Sequence, residues 1–99
     1  MTKLRLSAYS KTVQFAAHAI GMDNRNVYKR HGRLFYRPYR NYFTTPPEGD
    51  CYELWMYLVG EDYAERRPTQ RGGFSFSLTR SGLDWLEAVL GVRIYDEED

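Results

Sequence analysis

The sequence predicts a single α+β domain, residues 1–99, in which about three helices pack on a two- to three-stranded antiparallel sheet. Two observations predict it. Apolar residues recur at helical spacing in three separate stretches, and they alternate with polar residues at strand spacing in others. Gly, Pro or a capping residue punctuates each stretch, so every element is short. A chain of 99 residues with 42% hydrophobic and 16% aromatic content can form one core of ordinary domain size.

Val13, Ala16, Ala17 and Ile20 share one helical face, which predicts a helix over 10–20 with Ser10 as its cap and Gly21 as its left-handed terminator. A start at Ser7 competes. Ahead of it, Leu4 and Leu6 alternate with Lys3 and Arg5 as in a short strand. From 24 to 47 the pattern turns aromatic and basic without a single acid. The His31-Gly32 turn signal places a strand over 33–37, Pro38 then limits pairing or marks a bend, and 44–49 reads as a loop.

Asp50 followed by Glu53 has the form of a cap with an acid three residues on, and Leu54, Trp55, Leu58 and Val59 follow at helical spacing. A helix over 51–59 closed by Gly60 is expected. Residues 63–67 and 74–78 read as two strands of a hairpin, with the loop over 68–73 carrying Arg71 and a Gly pair. Thr79 or Ser81 caps a last helix striped with Leu83, Leu86, Val89 and Leu90, Trp85 beside them, and Gly91 ends it. Val92 to Tyr95 suits a short edge strand, and Asp96-Glu97-Glu98-Asp99 a solvated acidic tail.

Net charge is only +1, but it is divided unevenly. Residues 1–47 hold nine Lys/Arg and one acid, and 48–99 hold five Lys/Arg and twelve acids. Such asymmetry points to a basic contact surface, or else to two halves that neutralise each other across the fold. Cys51 is the only cysteine and has no metal-ligand companion nearby, so neither a disulfide nor a zinc site is expected. A cytoplasmic setting follows, since neither a signal-peptide core nor a run of about eighteen apolar residues occurs. No Gly-rich phosphate motif, nucleophile signature or metal spacing is present, which predicts a non-enzyme without cofactors. His18 lies near the apolar face of the first helix, His31 sits in a basic loop, and Cys51 has no His near it in sequence, so none is expected to be reactive.

Phe76, Leu78, Thr79, Gly82 and Leu86 resemble the end of a winged-helix domain, where an aromatic residue, Leu-Thr, two residues, Gly and a leucine-bearing helix follow the wing. Tyr63-Ala64-Glu65-Arg66-Arg67 is similar to the first wing strand. The resemblance covers roughly 50–90 and implies a winged-helix-like fold in which these residues build core. It also departs from that pattern: the helix in the recognition position has no Lys, Arg, Asn or Gln and opens on Asp50 and Glu53, which phosphates repel. The stretch Tyr39-Arg40-Asn41-Tyr42-Phe43 ahead of such an end resembles small proteins encoded by prophages and mobile elements.

The candidate binding surface is therefore the basic and aromatic segment, through Arg25, Tyr28, Lys29, Arg30, Arg33, Tyr36, Arg37, Tyr39, Arg40 and Tyr42, joined by Arg66, Arg67 and Arg71 of the wing. Arginine forks match phosphate oxygens and aromatic rings stack on unpaired bases. The expected partner is nucleic acid or a nucleoprotein or nuclease complex, with no membrane. Trp55, Met56 and Tyr57 leave a homodimer open. The expected role is an accessory protein that inhibits a bacterial nucleic-acid-targeting defence system, of anti-CRISPR type. The alternative is a winged-helix transcriptional regulator.

Overall fold

The computed structural model describes residues 5–22 and 27–95. These form three α-helices, α1 (Lys11–Ala19), α2 (Asp50–Gly60) and α3 (Arg80–Leu90). Six strands, β1 (Tyr28–Arg30), β2 (Arg33–Tyr36), β3 (Phe43–Thr45), β4 (Ala64–Pro68), β5 (Phe74–Leu78) and β6 (Val92–Ile94), make two sheets ordered β1-β2-β6 and β3-β5-β4. The α+β class is as expected, whereas one antiparallel sheet has become two. The cause is β5, already flanked by β3 and β4, which leaves β6 to pair with β2, and to do so in parallel.

Local chemistry accounts for the helix ends. The Ser10 hydroxyl accepts from the Val13 N–H at 3.3 Å, and α1 starts at Lys11 and not at Ser7. At its other end the Met22 N–H reaches Ala17 O and the Gly21 N–H reaches His18 O, with Gly21 at φ 78°. That pair of bonds is a Schellman stop. Leu6 belongs to a 3-10 turn (Leu6–Ala8) and not to a strand, because Ala8 and Tyr9 N–H groups bond back to Arg5 and Leu6. Leu4 lies outside the described residues.

Asp50 is the first residue of α2 and not its cap. Gly49, at φ 108°, occupies the cap position without a side-chain bond, and Asp50 and Glu53 instead sit in the first turn, where they complement the helix dipole. Gly60 does not stop α2 either. A second Schellman stop lies two residues on, with Asp62 at φ 62° and the Tyr63 N–H bonded to Leu58 O. In α3 the cap is Thr79, whose hydroxyl accepts from Gly82 N–H at 3.0 Å and donates to Asp62 O at 2.7 Å. This ties the start of α3 to the end of α2. Gly91, left-handed at φ 69°, ends it as expected.

The hairpin forms as the alternation predicts, with Phe74, Phe76 and Leu78 on one face and Ser75 and Ser77 on the other. Two segments read as loop are strand. Phe43–Thr45 pairs with the free side of β5, and Pro68 closes β4, an edge strand where its missing N–H costs no ladder bond. The core joins Trp55, Leu58, Phe76 and Leu86, all with no exposed surface, to the buried face of α1. The Trp55 ring stacks on Phe76 at 5.6 Å and meets Phe43 at 5.5 Å. Trp55 is thus unavailable to a dimer interface, while Tyr57 stays exposed. No helix of the described residues is long and apolar enough to cross a membrane.

Candidate nucleic-acid interface

The β1-β2-β6 sheet carries the basic half's aromatic pattern, and its construction explains why one face is left open. Strand alternation divides its residues between two faces. Leu34, Tyr36, Val92 and Ile94 turn inward, and Tyr36, Val92 and Ile94 are each 1% exposed. On the opposite face, register sets Tyr28 beside Phe35 and Phe35 beside Arg93. Arg30 and Arg33 pair across the hairpin end, and Arg37 and Tyr95 extend the same rows one alternate position further. His31 at φ 52° and Gly32 at φ 77° make the tight turn between β1 and β2, the backbone pairing typical of a type I′ hairpin.

The far edge is held by α3. The Ile94 N–H donates to Glu87 Oε1 at 2.8 Å, and Arg80 donates to Ile94 O at 2.8 Å while pairing with Asp84 at 2.9 Å. These side chains occupy the backbone groups that an edge strand otherwise leaves open. The Tyr95 N–H then donates to Tyr36 O at 3.0 Å, so Tyr95 is fixed as firmly as a strand residue.

Its ring lies 6.1 Å from that of Phe35 with only 11° between planes. The Arg37 guanidinium sits 5.0 Å over the Tyr95 ring and that of Arg93 5.9 Å from it. A cleft of about 510 Å³ opens here, lined by Tyr28, Lys29, Arg30, Phe35, Arg37 and Tyr95, with no carboxylate among them. Lys29, Arg30, Arg33, Arg37 and Arg93 form no ion pair with a described carboxylate. Each ion pair between described residues lies within the C-terminal half, between Arg67 and Glu65 or from Arg80 to Asp84 and Glu87.

No family model, no curated protein and no solved structure matches this chain.

Four of the expected residues, Tyr28, Arg30, Arg33 and Arg37, meet on this face; Lys29, opposite Leu34, belongs to the other row of the sheet, though it is exposed and borders the cleft. Tyr36 does not: it is buried, and its hydroxyl donates to Ile20 O at 2.9 Å, so it holds β2 to the end of α1 and is a core residue. Tyr39 lies over Gly21, where a Cβ would stand inside its ring. Arg40 donates to His18 O at 2.7 Å, a cation placed on the negative end of α1. The Tyr42 N–H donates to Ala19 O while its ring stays exposed. Asn41 bonds twice to Leu78, accepting from its N–H at 2.8 Å and donating to its carbonyl at 2.9 Å. The Tyr-Arg-Asn-Tyr-Phe stretch is thus chiefly a fastener between α1 and β5. Arg25 lies outside the described residues.

The wing arginines belong to the other sheet. Arg66 donates to the Tyr52 hydroxyl at 2.7 Å and covers the Phe74 ring at 4.5 Å, Arg67 stands 3.7 Å from Glu65, and Arg71 is exposed in the β4–β5 turn. No described contact joins them to the cleft. Three residues absent from the expected set, Phe35, Arg93 and Tyr95, complete the face. The Val92 to Tyr95 alternation contained the last two, but nothing local showed which strand they would join. Among the described residues no group of three or more His, Cys, Asp or Glu is placed to hold a metal.

Proposed function

We propose that this chain is a non-enzymatic binding protein that contacts nucleic acid, or a nucleoprotein complex, through the outer face of β1-β2-β6. In a phage or mobile-element setting it acts in the host cytoplasm as an accessory protein that inhibits a nucleic-acid-targeting defence system. One observation carries the reading: four cations, Arg30, Arg33, Arg37 and Arg93, and three aromatic side chains share an open sheet face, and the cleft there has no acid in its lining. Phosphate contacts supply most of the affinity of such surfaces, and an inhibitor needs only to occupy the channel that guide or target normally fills.

The winged-helix regulator is the weaker reading. Elements α2, β4, β5 and α3 follow in the order that the resemblance implies, but the exposed residues of α2 include Asp50 and Glu53 and no cation. The described residues between α1 and α2 form no helix to complete a helix-turn-helix. Titration of labelled single-stranded and duplex DNA and RNA tests the proposal. Binding is expected to fall with salt, with a log–log slope of up to about −2.8 if the four cations of this face meet phosphates of a single strand. The Arg33→Ala, Arg37→Ala, Arg93→Ala triple variant is expected to lose it. No binding even at low salt removes this surface as a nucleic-acid site and leaves pull-down from host cells to find a protein partner.

A further inference from the structure

Building on the nucleic-acid reading above, we infer that the β1-β2-β6 face is a stacking platform for unpaired bases, so that its ligand is a single strand bound without base specificity. Three aromatic rings stand together on this face, with the Arg37 guanidinium over the Tyr95 ring, and a base can stack on a ring or on that guanidinium plane. Phe35 and Tyr95 are both only half-buried, their planes agree within 11°, and Tyr28, 53% exposed, stands beside Phe35 in the next strand. A base that is paired and stacked in a duplex offers only its edges to a protein. Ring faces are reached when the strand is open.

The cations are arranged to take the backbone on either side of such bases. Arg37 and Arg93 flank Tyr95, and Arg30 and Arg33 lie beyond Tyr28 and Phe35 at the hairpin end. A strand lying along this face meets cation, rings and cation in turn. The cleft, about 510 Å³, is in the range that holds a small ligand and is suited to one or two nucleotides. Stacking uses the π-face that every base has, so sequence preference is weak.

The test is fluorescence anisotropy with a 12-nucleotide uridine or thymidine oligomer, and with a duplex of matched length, on wild type, Phe35→Leu, Tyr95→Leu and Arg37→Gln. Tighter binding of the ribo or the deoxyribo single strand than of the duplex is expected. Each leucine variant is expected to weaken it about 5- to 150-fold without changing the salt slope. Arg37→Gln is expected to lower the slope by about 0.7. Should a leucine variant unfold, ultraviolet crosslinking of the wild type to the same oligomers replaces it, with adducts expected on Phe35 or Tyr95.

Equal or tighter duplex binding overturns the platform. So do folded leucine variants of wild-type affinity, or adducts confined to Tyr52 and Phe74. In these cases, if the arginine variant still weakens binding, the broader nucleic-acid reading survives. Absence of binding to every oligomer overturns both.

Discussion

Replacing Asn41 with alanine is expected to destabilise the fold by about 2–3 kcal/mol while leaving the sheet face intact. The magnitude follows from geometry. Phe43 opposes Phe76 at the first pair of the β3–β5 ladder, so two residues further back the chain position opposite Leu78 is 41. Backbone pairing does not continue there. The Asn41 side-chain amide takes its place, one oxygen and one N–H serving both backbone groups of Leu78 at 2.8 and 2.9 Å. A buried group left without a partner costs about 1–3 kcal/mol. Leu78 is 5% exposed overall and these two bonds are only partly buried, which places each group near the lower end of that range. For a domain near 100 residues, where 1 kcal/mol moves Tm by about 4–8 °C, the sum is a fall of roughly 8–24 °C. Asn41→Asp keeps the acceptor but sets a carboxylate oxygen against Leu78 O, and is expected to be no better than alanine. Thermal unfolding followed by circular dichroism measures both. A Tm for Asn41→Ala within about 3 °C of wild type would refute the bridging role assigned to the amide.

Further outcomes follow from other contacts. Tyr36→Phe removes the bond to Ile20 O and is expected to cost about 1 kcal/mol in urea unfolding, with nucleic-acid affinity unchanged because the ring is buried; a large affinity loss in a folded variant would contradict its placement in the core. Gly82→Ala sets a Cβ 2.0 Å from Tyr63 O, a clash with backbone, and a loss of about 1–3 kcal/mol or more is expected from overpacking, read as reduced Tm or insoluble expression. Asp96-Glu97-Glu98-Asp99 follow Tyr95 directly in the sequence. Exchanging them for the corresponding amides removes four negative charges tethered to the cationic face, so affinity for a single strand is expected to rise several-fold at low salt and less at 0.5 M, where screening is stronger.

The helices and the hairpin were largely legible in the sequence, since their signals are local. Ser10, Gly21, Thr79 and Gly91 do what their types and positions imply. Errors arose where a neighbour distant in sequence decided the outcome. Thr44 and Thr45 are poor evidence of a strand until β5 is beside them, and Gly60 looks like a helix stop until Asp62 takes that part. The site divided for the same reason. Tyrosines and arginines of 27–43 look equivalent along the chain, but Tyr36 faces inward by strand alternation and Tyr39 and Arg40 are taken up by the end of α1. Nothing in the sequence distinguishes Phe35 from its neighbours, and the arrival of β6 in parallel is what sets its ring beside Arg93 and Tyr95.

That parallel pairing also has a consequence for when the β1-β2-β6 face can form. Phe35 and Arg37 come from the first half of the chain, and Arg93 and Tyr95 come after α3. Closing so long a loop is slow and comes late relative to local helix and hairpin formation. This sheet face is then among the last features to be completed during folding, and because Val92 and Ile94 belong to the same buried cluster as Trp55, β6 cannot leave β2 without opening the core. Amide exchange at Ile94 and Tyr95 is expected to be as slow as in the core, so that the face lasts as long as the fold itself.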